Sequence, residues 1–302
     1  MQAQISDRVK YIRDEIKMVI FEGVEGFIKV TKLEYTFKND TLFKVLFVKY
    51  PELLKKLIAE LLEIRFESIN QFMITNPEMP AERIGDKFCR LDINMIVDGR
   101  RVNLEIQVRD EGDFPERSLF HWAREYSTAL AEGEDYSKLP RAIIISIVDF
   151  NLFDCEEFHS EYRALEVKRH TQLTDKMSLH YFELPKLPDS INAENGMELW
   201  LALFNAETEE ELKELELLEV TVMKQAINAY RGITASPEFR EMERLRSKAR
   251  HDEAQALKKA RFEEREQWRN VIEGKDAEIA AVIAEKDAII EKLRAQLNET
   301  QQ

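Results

Sequence analysis

The stretch Arg90–Val108, RLDINMIVDGRRVNLEIQV, constrains the chain most. Two runs of alternating apolar and polar residues flank an Asp98-Gly99 pair. Asp-Gly between such runs is a strong hairpin signal, because a two-residue type I′ turn needs positive φ at both central positions. Leu91, Ile93, Met95 and Val97 fall on one face of the first strand, with Asp92, Asn94 and Ile96 on the other. In the second strand Val102, Leu104, Ile106 and Val108 alternate with Asn103, Glu105 and Gln107. Successive strand side chains point to opposite faces. A two-residue loop sets Val97 opposite Arg100, which places Asn94 opposite Asn103 and Asp92 opposite Glu105. Facing side chains have Cβ atoms roughly 4.5–5.5 Å apart, where two carboxylates repel unless a positive charge lies between them. A divalent cation that favours oxygen ligands fits that place, and Gln107, two residues on, shares the face. The ordinary alternative is the wetted face of an amphipathic hairpin.

With 302 residues, 44% hydrophobic and 34% charged, the chain has the composition of one large or two modest globular domains. Its two cysteines, Cys89 and Cys155, form neither a disulfide framework nor a metal-ligand spacing, which predicts reduced thiols and a cytoplasmic setting. No leader-like start and no apolar run of spanning length is evident, so no membrane partner is expected. The net charge of −14 argues against passive, sequence-independent DNA binding. It does not argue against a metal-dependent enzyme acting on nucleic acid, where the local charge decides.

Apolar residues at helical spacing predict an N-terminal helix over 5–22, within a segment 1–30. Thr36 to Ile64 reads as two helices broken at Pro51, with Asp40 near the start of the first as a cap or a third acidic group. Phe66–Thr75 reads as a strand, and Pro115–Glu132 as a helix burying Leu119, Phe120, Ala123, Tyr126, Ser127 and Leu130. The apolar, β-branched run Arg141–Phe150 has the pattern of a strand buried on both faces. A helix between a hairpin strand and a buried strand implies a crossover. The fold class is therefore α/β, a mixed sheet flanked by helices, spanning 31–206. Ser178–Leu184 reads as a further strand and Met197–Phe204 as a helix. From Glu207 to the end the composition is that of a charged helical tail. Within 268–298 a heptad runs through 272, 276, 279, 283, 286, 290, 293 and 297. It is apolar except at Asp276 and Lys286, and it predicts a short coiled coil and a homodimer.

Four segments occur in order: NDTLFKVLF, RLDINMIVDGRRVNLEIQ, FPERSLFHWAREYSTALAEGEDYSKL and RAIIISIVDFNLF. With them, and with ERLRSKARHDEAQALKKA further on, Thr36–Arg250 resembles the Rpn recombination-promoting nucleases and putative transposases of the PD-(D/E)XK superfamily. The resemblance implies a restriction-endonuclease-like core of four strands flanked by helices, holding Mg²⁺, with Mn²⁺ as a substitute, and acting on DNA. Asp92 falls on the superfamily's central acidic position. Glu105 and Gln107 fall on its Glu-x-Lys position, with Gln in place of Lys. Asp40 matches the acidic residue of the first helix, with Lys44 beside it. Arg117 and Tyr126 match residues of the following helix, giving Lys44, Arg117 and Tyr126 as substrate-binding candidates. Ala129 departs from the pattern, standing where relatives often carry Gln.

The metal ligands implied are Asp92, Glu105 and the backbone carbonyl of Ile106, with Gln107 positioning the attacking water. The implied activity is that of a metal-dependent DNA endonuclease promoting recombination of mobile DNA. The alternative is a catalytically degenerate nuclease fold that acts as an interaction protein and oligomerises through its tail.

Overall fold

The structure is a computed structural model and describes residues 30–77, 92–130 and 133–300. The helix expected over 5–22, and Leu91 of the hairpin, lie outside those residues. The chain divides into two compact units, Met1–Met242 and Glu243–Gln302.

The first unit is built on a mixed six-stranded sheet. Its strands are β1 (Phe72–Ile74), β2 (Ile93–Val97), β3 (Arg100–Gln107), β4 (Ala142–Val148), β5 (His159–Tyr162) and β6 (Met177–Glu183), in the spatial order β1-β2-β3-β4-β6-β5. β3, β4 and β6 are parallel, while β1, β2 and β5 pair antiparallel at the two ends. The expected hairpin forms in the expected register, with Val97 opposite Arg100 and Asn94 opposite Asn103. Its turn has φ of 47° at Asp98 and 74° at Gly99. Both are positive, as type I′ requires, and glycine is the residue that takes such angles at least cost. Asp98 is further held because its Oδ1 accepts from the backbone N–H groups of Asn70 and Gln71, each at 2.9 Å.

Helix α1 (Asp40–Lys49) is capped by the Asn39 side chain, which accepts from the Leu42 N–H, and α2 (Pro51–Leu61) begins on Pro51. A cap of this kind contributes about 1 kcal/mol. Between β3 and β4 lies the crossover helix α3 (Phe114–Ser127). After β6 come α4 (Gly196–Asn205), α5 (Glu209–Leu217), α6 (Thr221–Thr234) and α7 (Pro237–Thr300).

The two faces of the sheet are covered differently. Ile93, Met95, Val97, Val102, Leu104, Ile143, Ile145, Ile147 and Phe182 pack with α1, α2, α4, α5 and α6 into the main core. There the fully buried Trp200 stacks with Phe204, and Phe47 lies against both. The other face carries a smaller cluster of Phe114, Ile144, Val148, Leu179 and Tyr181, roofed by α3. β4 contributes to both, so all seven of its residues are buried, as its unbroken apolar run predicts.

Four details differ from expectation. Residues 66–75 form a single 3₁₀ turn at Phe66–Ser68 and only a three-residue strand, because the exposed Asn70 and Gln71 turn towards Asp98. The buried side of α3 is Phe114, Ser118 and the half-buried Trp122; Leu119 and Phe120 are exposed, at 46% and 65%. The Trp122 indole N–H, donating to the Ala142 carbonyl at 3.1 Å, fixes that rotation of the helix. The charged run after Glu207 begins inside the first unit, since Leu212, Leu215, Ala226, Ile227 and Tyr230 join the main core while the glutamates of α5 stay outward. Finally β5, a short polar strand without apolar alternation, adds an edge.

The second unit is the continuation of α7, with its large apolar side chains from Leu257 to Leu293 exposed. Ion pairs along its surface include Arg250–Glu243, Arg269–Glu266 at 2.7 Å and Lys275–Glu278 at 3.3 Å. Among the described residues no helix is long and apolar enough to cross a membrane.

Candidate nuclease site at the carboxyl end of β3

The sheet face under α3 carries the polar residues of the hairpin. The Asn103 side-chain N–H₂ donates to Asp92 Oδ2 and to Asn94 Oδ1, both at 2.7 Å, so Asp92, Asn94 and Asn103 lie on one face. The last described ladder pair is Ile93 with Leu104, and Asp92 follows directly on that register towards Glu105. Glu105 pairs across β3–β4 with Ser146, whose hydroxyl donates to Glu105 Oε1 at 3.0 Å. The two acids therefore share a face, and each is oriented by a neutral donor beside it. Asn103, Glu105 and Ser146 are buried, at 5%, 7% and 0% exposure. Tyr181 lies next to Ser146 across β4–β6; burial pushes its phenol above the usual range, against a hydrogen bond with Ser118 that lowers it, and the charge of Glu105 adds to the rise.

Backbone alternation fixes where the Ile106 carbonyl points. The Arg101 N–H and the Gln107 carbonyl bond towards β4, to Arg141 and Asp149, each at 2.9 Å. Odd-numbered residues of β3 thus face β4, and the intervening Ile106 turns its carbonyl to the β2 side, the side of Asp92. Open α/β sheets bind ligands beyond the carboxyl ends of their parallel strands, which is where Glu105, Ile106 and Gln107 stand.

Helix α1 closes this end. Lys44 is buried at 3% exposure, and its ammonium donates to the carbonyls of Asn76 at 2.5 Å and Asp92 at 3.0 Å. Asn76 completes the clasp, donating to the Asp92 carbonyl at 3.0 Å and accepting from the Asn94 N–H at 2.8 Å. Lys38, just before α1, bonds Asp149 at 2.9 Å, beside Gln107. Burial lowers its pKa, but the hydrogen bonds it donates to Asp149 and Glu207 more than offset this, so it stays charged. These two lysines hold the first turn of α1, and Asp40 with it, at the end of the sheet that bears the acids. Asp40 itself accepts from the Thr41 N–H at 2.8 Å.

The other expected residues are engaged locally. The Gln107 side-chain N–H₂ donates to the Arg109 carbonyl at 2.9 Å. Arg117 bonds Glu111 at 2.7 Å and stacks on Phe114, 4.8 Å from its ring centre. Tyr126 stacks on Trp122 at 5.1 Å. Among the described residues, no three of His, Cys, Asp and Glu are gathered to hold a metal together. The candidate donors at this end of the sheet are two carboxylates and a main-chain carbonyl. All are hard oxygens, which suit Mg²⁺ or Mn²⁺ rather than a thiolate- or imidazole-seeking ion. Sequence reasoning missed Asn103, Ser146 and Asn76. Asn103 stood on the right face and opposite Asn94 in the register, so its bridging role was within reach; the other two come from distant segments.

No curated protein and no solved structure matches the chain. The family model described as PD-(D/E)XK nuclease family transposase matches residues 37–260, from the residue before Lys38 through the whole sheet and into α7. With the acids of the hairpin on one face of a mixed sheet and most of its length matched, the chain belongs to the PD-(D/E)XK nuclease family of transposases.

Proposed function

We propose that the chain is a Mg²⁺-dependent DNA endonuclease that hydrolyses phosphodiester bonds in the recombination of mobile DNA. The observation that carries this reading is the placement of Asp92 and Glu105 on one sheet face, each held by its own hydrogen bond. Members of this family generally use divalent ions, and the hard-oxygen donor set fits one. Asp92, Glu105 and the Ile106 carbonyl would hold it, with Mn²⁺ able to substitute. When bound, the cation supplies positive charge to offset the charge that builds on the scissile phosphate.

The chain's own residues have distinct parts. Asn103 and Ser146 orient the two carboxylates. Gln107 leaves the Arg109 carbonyl to hold the attacking water; being neutral, it adds no charge of its own. Asp40, at the start of α1, adds negative charge at this end of the sheet. Lys44, whose ammonium is buried on two carbonyls, is a positioning residue for the Asp92 backbone rather than a phosphate contact. Arg117 and Tyr126, on α3, face the DNA backbone, with Arg117 released from Glu111 as a phosphate approaches. The exposed apolar seam of α7 joins two copies.

Incubation with supercoiled plasmid tests the reading. Wild-type protein nicks it only with Mg²⁺, Asp92→Ala and Glu105→Ala abolish nicking, and Gln107→Lys retains or raises it. Mg²⁺-dependent cleavage that survives both alanine substitutions overturns the assignment. A second reading, a relict fold serving as an interaction protein, draws on the local engagement of Gln107 with Arg109 and of Arg117 with Glu111. Calorimetric titration with Mn²⁺ separates the two: binding lost in Asp92→Ala supports the enzyme, and no binding supports the relict.

A further inference from the structure

The two charged residues that interrupt the heptad of α7 carry information about the partner. The seam positions Ile272, Ile279, Ile283 and Ile290 are 57%, 56%, 54% and 45% exposed, and Asp276 and Lys286 between them are exposed as well. Such a stripe on one long helix is unfinished until another helix covers it. By heptad spacing, Asp276, Ile283 and Ile290 take a positions, while Ile272, Ile279 and Lys286 take d positions.

In a parallel, in-register pair each seam residue meets its own copy. Asp276 then faces Asp276 and Lys286 faces Lys286, two like-charged layers within a short seam. In an antiparallel pair, a positions meet d positions. A two-fold axis at Ala281 sets Asp276 against the partner's Lys286, and Lys286 against the partner's Asp276. The same axis sets Ile272 against the partner's Ile290 and Ile279 against the partner's Ile283, so four isoleucine layers and two opposite-charge layers result. One register satisfies these six positions; the next position of the heptad, Leu293, falls opposite the partner's Arg269 at the end of this stretch. The cost falls at the rim, where Glu273 nears the partner's Asp287; water and salt screen that exposed contact more than the seam layers.

We infer that the α7 tail binds a second copy of this chain in antiparallel register centred on Ala281, with Asp276 and Lys286 selecting that register. The inference rests on the self-association proposed above and is independent of the nuclease reading. Buried opposite charges in a coiled coil serve mainly to exclude other registers and orientations.

Sedimentation equilibrium on the full chain tests it. Asp276→Lys alone places Lys against Lys in two layers, and Lys286→Asp alone places Asp against Asp in two. Each raises the dimer dissociation constant about tenfold or more. The double exchange Asp276→Lys with Lys286→Asp restores the wild-type value. A parallel pair predicts that neither single exchange matters, because like already faces like. Spin labels at exposed Gln267, in a background with both cysteines replaced by serine, give a second readout. Antiparallel pairing separates the labels by about 42 Å along the axis at 1.5 Å per residue, and parallel pairing sets them side by side. A dimer insensitive to the single exchanges, or labels side by side, overturns the register while leaving self-association standing. A monomer at all concentrations overturns both, and plasmid nicking in that same protein shows that the nuclease reading stands apart.

Discussion

Replacing Lys44 by Met tests whether the clasp beneath Asp92 governs the site. Methionine keeps most of the volume and removes the ammonium, which is buried at 3% exposure and donates to the Asn76 and Asp92 carbonyls. A hydrogen bond from a charged donor is worth about 1.5–3 kcal/mol, so two gross about 3–6 kcal/mol. Removing the buried charge also removes its desolvation cost, which returns a large part of that sum. The Asp92 carbonyl keeps Asn76 Nδ2 as a donor, at 3.0 Å. A net loss of about 2 kcal/mol in urea unfolding is expected. The larger effect falls on the site, because the Asp92 backbone is no longer fixed against α1. Residues that orient metal ligands typically control affinity by about 10–100-fold, and Mn²⁺ affinity measured by calorimetry should weaken on that scale. Plasmid nicking should fall at low Mn²⁺ and recover when Mn²⁺ is raised. Unchanged Mn²⁺ affinity in a folded variant refutes the clasp as the element that positions Asp92. Loss of nicking that excess Mn²⁺ cannot restore refutes a positioning role and puts the ammonium in the chemistry itself.

Two further outcomes concern the scaffold. Asp98→Ala removes the acceptor for two backbone N–H groups and should destabilise the first unit by about 1–3 kcal/mol in urea, while Asp98→Asn, which keeps the oxygen, should cost less. The second concerns pH. Burial first, with the nearby His159, Arg141 and Arg163 charges, holds His180 at about 4, below its ordinary 6.5, although Glu161 pulls the other way. The unfolded chain takes up a proton between those values that the folded chain refuses. Stability is therefore full above pH 6.5 and falls as the pH drops towards 4. His159, lowered by burial, acts in the same direction. So does Glu161: burial raises it, but the Arg163 and Ser178 hydrogen bonds win and lower it. From pH 7 to pH 5 the His180 contribution to unfolding free energy should fall by about 2 kcal/mol. His180→Asn should show a correspondingly shallower loss, and an equal loss in both proteins rules His180 out as its source.

Much of the fold was legible because its signals are local. Asp98-Gly99 fixed both the turn and the register of β2 and β3, and the uninterrupted apolar run of β4 marked a strand buried on both sides. Pro51 marked the start of α2 by the group it lacks, whereas the cap of α1 is Asn39, one residue before the Asp40 that the sequence suggested. What escaped depended on distant partners. β5 is polar along its length and owes its place to pairing with β6 and to the stacking of His159 on His180 and Phe182. The rotation of α3 is set by Trp122 reaching the Ala142 carbonyl, so Leu119 and Phe120, apolar as they are, remain outside. The glutamate-rich α5 reads as solvated tail by composition, yet Leu212 and Leu215 are enough to seat it on the core.

The candidate site divides along the same line. Asp92 and Glu105 follow from a two-residue turn and the strict alternation of an extended chain, so a sequence reader can place them on one face without knowing what surrounds them; the Ile106 carbonyl enters only through the family resemblance, and its direction through the pairing of β3 with β4. The groups that make two acids on one face tolerable come from elsewhere: Ser146 from the crossover strand, Asn76 from the segment after β1, Lys44 from the first helix. Each is a single side chain contributed across a long stretch of sequence, and none has a pattern of its own. A short hairpin can thus announce a pair of carboxylates, but only the closed sheet supplies the donors that orient them. That is why substitution of the distant donors, rather than of the acids alone, distinguishes a built site from the wetted face of an ordinary hairpin. In the latter, removing Lys44 or Ser146 should cost stability and leave Mn²⁺ binding, if any, unchanged.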